Sequence, residues 1–213
     1  MKKFYMIVLC LLLASHSVAG QTNIDSLQTV IKNDQQNIDA MINLGIAYHD
    51  LGVHGDKKSV DKGANLFERV LDLDSTNAVG LAYLGSIYSL RARDTFMPWN
   101  KLKHTKRATK LLDHPAVTGS RDLDVHLIRA MNSYEIPKFL NRLEIAIEEF
   151  EFIVNHQNFS DWPSPKRSFV LLQTGRAYKK DGNESAAGKY FQLAIDEAPD
   201  SVYAKYAEKE LKK

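Results

Sequence analysis

The sequence predicts an all-α protein, on three observations. No segment alternates apolar and polar residues with the period of two that a strand requires. Apolar residues instead recur three and four apart, as they do on one face of a helix. A Gly-x-x-Tyr group also returns at Gly45, Gly85 and Gly175 within similar surroundings. That recurrence marks a repeat architecture.

The clearest copy runs from Ser168 to Ser201. Leu171, Thr174, Gly175 and Tyr178 are followed by Gly182, Ala187, Phe191, Ala194 and Pro199. The first four share one helical face, and the small Gly175 and Ala187 let a second helix come close. Gly182 suits a left-handed cap, Asn183 can open the next helix, and Pro199 closes the pair. Residues 168–201 resemble a tetratricopeptide repeat (TPR), with Leu171 and Thr174 standing where the family pattern has Trp and Leu. The resemblance implies a right-handed superhelical α-solenoid of helix pairs that binds protein or peptide partners in a concave groove, without catalysis.

The elements follow from that register. Helix 23–35 carries Leu27, Val30 and Ile31 on one face. Helices 38–51 and 60–73 form a first unit, about 38–74, with Met41, Leu44, Gly45 and Tyr48 on its first helix and Gly63, Phe67 and Val70 on its second. Helices 77–92 and 99–113 form a second, about 78–117, with Leu81, Leu84, Gly85 and Tyr88 on its first helix, continued by Ala108 and Leu112 on its second. The third unit, about 122–156, is degenerate: Ala130, Met131 and Tyr134, then Ala146, Phe150 and Ile153. Its second helix is expected over 137–156, with Pro137 in the first turn, where a missing N–H costs little. Helices 165–181 and 184–197 build the fourth unit, and 201–211 a polar cap, the whole of 21–213 forming one domain. Gly45 to Gly85, Gly85 to Met131 and Met131 to Gly175 span 40, 46 and 44 residues, against the 34 of the family repeat. Most of the excess falls between the two helices of a unit, and it is expected as loops.

The first twenty residues form a different kind of segment. Lys2 and Lys3 precede an apolar run from Phe4 to Ala14, and small residues follow to Gly20. This is the pattern of a cleaved secretory signal peptide, too short to span a bilayer, which needs roughly 20 apolar residues. An exported protein, in the periplasm or outside the cell, is expected. Loss of residues 1–20 removes Lys2, Lys3 and Cys10, the single cysteine. It leaves 26 basic and 26 acidic residues. A neutral chain has no global attraction for nucleic acid, and a cysteine-free one has no thiol nucleophile and no disulfide.

Phosphate-binding glycine loops, HExxH and GxSxG are all missing from the sequence, so no catalytic residue and no cofactor is assigned. His49, Asp50, His54 and Asp56 have ligand chemistry, but they straddle Gly52 without a defined geometry; we read them as a solvated loop and assign no metal. Glu144, Glu148, Glu149 and Glu151 read as the polar side of an amphipathic helix. Lys101, Lys103, Lys106, Arg107 and Lys110, with Arg91 and Arg93 before them, make a basic helix. It is read as a solvated face, the functional alternative being an acidic partner or lipid head groups.

The family resemblance places groove positions at Ile42, Asn43, Ile46 and His49, then at Tyr83, Ser86 and Leu90. The third and fourth units give Arg129, Asn132 and Glu135, then Gln173, Arg176, Lys179 and Lys180. Such a groove is apolar at one end and cationic at the other, and fits a peptide with an acidic segment. Two loops add aromatics: Phe96, Met97 and Trp99, then Phe159 and Trp162. Exposed, Trp99 and Trp162 are anchors for a partner or, alternatively, stacking platforms for a glycan or small molecule. Folded back, they cover their own helices, which is the expectation for Phe96 and Trp99, with Trp162 open between the two.

Overall fold

The computed structural model describes residues 23–137 and 140–212. The expected signal peptide, 1–20, lies outside them. The described residues form helices α1 (23–33), α2 (Ile38–Val53), α3 (Lys57–Leu73), α4 (Ala78–Asp94), α5 (Pro98–Leu112), α6 (Pro115–Thr118), α7 (Leu123–Glu135), α8 (Leu143–Asn155), α9 (Ser164–Asp181), α10 (Glu184–Glu197) and α11 (Val202–Leu211). They contain no strand. The chain divides into two compact units between Ala116 and Val117.

In the first unit α2 pairs with α3 and α4 with α5. Ile24 and Ile31 of α1 join Met41, Leu44, Leu66 and Val70 in one apolar cluster. Val60, Ala64, Phe67, Leu84, Ile87 and Ala108 form the next. In the second unit α7 pairs with α8 and α9 with α10, while α11 packs on both α10 and α9. Phe150, Ile153 and Val170 center one core, and Leu172, Phe191 and Ala194 the other.

The repeat register is carried by a glycine on one helix meeting a large side chain on its partner. A Cβ built at Gly45 would lie 2.7 Å from the ring of Phe67, one at Gly85 2.9 Å from Leu112, and one at Gly175 2.6 Å from Phe191. Each pair therefore closes only because glycine is there. Gly182 adopts φ 100° and ends α9, and Asn183 accepts from the N–H of Ala186 at 3.0 Å, as the sequence predicts. A further repeated signal lies in the turns. Asp34 and Asp74 each accept from the N–H two residues on at 3.1 Å, and Asn37 and Asn77 then cap α2 and α4. These two Asp-x-x-Asn turns are 40 residues apart in sequence, the same step as Gly45 to Gly85.

The excess residues of the first two units are not loops, which corrects the expectation. Only residues 54–56 join α2 to α3, and only 95–97 join α4 to α5. The rest lengthen the helices, because Asp56 caps α3 ahead of the expected start and Pro98 occupies the first turn of α5. The third unit differs again. Pro137 lies outside any helix, and α8 begins only at Leu143, after a connection that contains the left-handed Asn141. The helix expected over 137–156 is thus shorter at its start, and a 3-10 turn, Gln157–Asp161, follows its end.

Candidate functional site

In the first unit the groove positions of α2 and α4 meet each other. His49 is 6% exposed, with Nε2 at 2.8 Å from the Ser86 hydroxyl and Nδ1 at 3.3 Å from Asp50. Its ring meets Tyr83 edge-on at 5.2 Å, and Tyr83 stacks on Phe67. Ile46 and Tyr83 are half-buried against the same core. His49 and Ser86 are therefore internal contacts, a correction to their reading as exposed groove positions. The Ser86–His49–Asp50 sequence of contacts has the order of a nucleophile relay. It lacks what acyl transfer needs: Ser86 is buried, and the backbone N–H groups around it are used by α4, leaving none to hold an oxyanion.

The four residues considered for a metal have separate tasks. His49 bonds Ser86, His54 bonds the Asp50 carbonyl at 2.7 Å, and Asp56 caps α3. Among the described residues no group of three His, Cys, Asp or Glu could hold a metal ion.

In the second unit Arg129 points at Glu149 of α8, and the same carboxylate lies 2.5 Å from Nδ1 of His126. The other ring nitrogen of His126 is 2.9 Å from the Ser120 carbonyl. Both nitrogens face acceptors, an arrangement that favors the doubly donating imidazolium. Burial works against that charge, but the bonds to Glu149 and to the Ser120 carbonyl outweigh it and raise the pKa above the usual histidine value. Asn132 is buried and donates to the carbonyl of Ile128. Arg129 and Asn132 are thus structural, and they correct the expectation of a groove there.

The remaining predicted positions of the second unit do converge. Gln173, Arg176, Lys179 and Lys180 of α9 line an open cleft of about 450 Å³ with Met131, Tyr134 and Glu135 of α7 and Glu210 of α11. The Glu210 carboxylate sits 3.4 Å from Lys179 and 3.7 Å from Arg176. Lys180 donates to the Tyr134 carbonyl, with its ammonium 4.4 Å over the Tyr134 ring. A second cleft of about 550 Å³ follows α8, lined by Glu148, Glu151, Phe152, Asn155, His156 and Gln157. There Glu151 accepts from Tyr178 at 2.5 Å, and burial together with that bond holds the Tyr178 phenol well above its ordinary pKa.

A thermophilic TPR protein from Thermus thermophilus superposes over 94% of this chain and 95% of its own, with TM-score 0.71 at 13% identity. The chain has the TPR fold. MamA covers 89% of this chain and 90% of its own at 21% identity, with TM-score 0.47. YrrB, described as a TPR protein with an unusual peptide-binding site, covers 87% and 99% at 17% identity, with TM-score 0.40. The fold assignment rests on the first of these. No family model and no curated protein matches the chain.

Within the TPR register the aromatic loops behave in opposite ways. Phe96 is 94% exposed and Trp99 67%, so the expectation that they fold back under their helices is wrong. The connection 95–97 is too short to reach the core. Trp162 is half-buried beside Phe159 at 6.0 Å, with the Lys166 ammonium 3.7 Å over its ring. The roles of two carboxylates, Glu149 and Glu210, escape a reading of the sequence. Glu149 belongs to a run that reads as polar surface. Glu210 lies on the expected polar cap, and nothing local marks it as the neighbor of α9. Among the described residues, no helix is long and apolar enough to cross a membrane.

Proposed function

We propose that this TPR protein is a non-enzymatic interaction module and that its second unit binds an acidic segment of a peptide or protein in the α7–α9–α11 cleft. One observation carries the reading: Glu210 already occupies the cleft with its carboxylate against Arg176 and Lys179. An aspartate or glutamate of a partner would take the same position. Rigid helices hold the cations in place, so the ordering cost of binding falls on the partner. The apolar stems of Met131 and Tyr134 beside them offer a dry contact to the flanking residues. The chain acts in the cell envelope or outside the cell, on the support of its first twenty residues. N-terminal sequencing of the protein from the producing cells tests this, and a chain that still begins at Met1 refutes export by cleavage.

The binding test is crosslinking in the native cell, followed by mass spectrometry, of wild type and an Arg176→Glu, Lys180→Glu variant. The expected result is a specific protein crosslinked through an acidic segment to wild type and lost from the variant. A synthetic peptide of that segment then binds wild type and not the variant. Equal capture by both proteins overturns the assignment of the cleft, and capture of no protein overturns the interaction module itself.

A further inference from the structure

The α4–α5 corner of the first unit carries a surface that the cleft of the second unit does not use. Phe96 is 94% exposed, Trp99 67%, Met97 48% and Leu102 44%. Large side chains exposed to this degree, and grouped within seven residues, mark a contact surface. They sit at the tip of a three-residue connection and in the first two turns of α5, and neither cleft described above includes them.

The helix behind this tip has a defined outer stripe. Trp99, Leu102, Lys103, Lys106 and Lys110 follow one another at the spacing i, i+3, i+4, i+7, i+11 and so share one face. Ala108, on the opposite face, is fully buried, and Leu112 beside it fills the space next to Gly85. α5 holds no acidic residue. Lys103, Lys106 and Lys110 are exposed and have no ion-pair partner among the described residues. Arg91 and Arg107 of the same corner are by contrast engaged, with Asp61 and Glu68.

We infer that this corner docks on an anionic phospholipid surface. Phe96, Met97, Trp99 and Leu102 enter the head-group and upper acyl region, and Lys103, Lys106 and Lys110 meet the lipid phosphates. Protruding aromatic and apolar side chains beside a lysine stripe match the two attractions of a membrane surface, burial of apolar area and capture of cations by anionic head groups. The geometry favors a membrane over an acidic protein because the apolar side chains protrude. A bilayer accepts a protruding wedge without a preformed pocket, and its lipid phosphates meet the exposed lysines along the same face of α5. This inference is independent of the cleft and stands if the cleft proves empty.

The test uses a Trp162→Phe background, which leaves Trp99 as the one tryptophan of the chain. The protein, purified with its native N-terminus, is titrated with vesicles of phosphatidylcholine alone and of equal parts phosphatidylcholine and phosphatidylglycerol. The expected result is a blue shift of Trp99 emission and cosedimentation with the anionic vesicles only, weakened by salt. Lys103→Gln, Lys106→Gln, Lys110→Gln together lower the partitioning on the order of 100-fold, since each basic residue near an anionic surface is worth about fivefold. Phe96→Ala with Trp99→Phe, read by sedimentation, lowers it about tenfold or more. These sites are exposed, so circular dichroism of the variants should match wild type. No shift of Trp99 with anionic vesicles overturns the inference, as does equal binding to neutral vesicles. Binding unchanged by both sets of substitutions also overturns it. So does a Trp99 shift given only by an acidic polypeptide.

Discussion

Gly175→Ala tests the helix-pair register directly. The added methyl would lie 2.6 Å from Cδ1 and Cε1 of Phe191 and 3.1 Å from the Ala187 carbonyl, where ordinary contact begins near 3.4 Å. Phe191 must therefore retreat by about 0.8 Å. It is 2% exposed and packed in the core, so that movement displaces its neighbors. Overpacking of this kind costs about 1–3 kcal/mol, against which replacing a mid-helix glycine by alanine returns about 1 kcal/mol. A net loss near 1 kcal/mol is expected. Gly188 of α10 is the control, because its added Cβ meets nothing closer than Leu211 at 3.9 Å. Gly188→Ala should gain about 1 kcal/mol by propensity alone. Both residues lie in the second unit, so they report on the same transition. In urea unfolding, with an m-value of about 1–2 kcal/mol/M, the midpoints should move in opposite directions by roughly 0.5–1 M. Adding Phe191→Leu to Gly175→Ala should restore part of the loss. A Gly175→Ala midpoint at or above wild type would refute the close approach as the basis of the register.

Phe150 is fully buried beside Ala130 and Ala146 in the degenerate third pair, and Phe150→Ala should cost about 3–5 kcal/mol in the same urea assay. An effect below about 1 kcal/mol would mean that the pair contributes no core. The His126–Glu149 contact makes stability depend on pH. The folded-state pKa of His126 is raised, so its contribution is fully present below the unfolded value of about 6.5 and is lost as pH rises through the folded value. Glu149→Gln should flatten that part of the pH–stability curve, and an unchanged slope would refute the assignment. Phe96→Ser and Trp99→Ser, at exposed positions, should leave the urea midpoint unchanged within about 0.5 kcal/mol of stability. A larger loss would show that the two side chains are packed.

The repeat was legible in the sequence because its determinants are local. Gly175, Phe191, Gly182 and Asn183 act within one helix pair, at separations that helical geometry sets. Helix type and order follow from them, and the structure adds the close contacts of Gly45 with Phe67 and Gly85 with Leu112. Boundaries were less legible. Asp56 and Pro98 are start signals that the repeat pattern overrode, and the residues read as inserted loops continue the helices instead. The exposure of Phe96 was misread because an aromatic residue in a loop carries no local mark of whether its chain can fold back.

Sequence by itself determined the all-α class, the pairing of helices around small residues and the lysine-rich character of α5. Tertiary structure alone decided which polar residues are available. His49 and Ser86, 37 residues apart, close on each other. Arg129 is taken by Glu149, and Glu210 comes to Arg176 and Lys179 from a helix further along the chain. The physical reason is range: caps and helix faces depend on neighbors within a turn or two, whereas burial and charge pairing depend on whichever helix packs opposite.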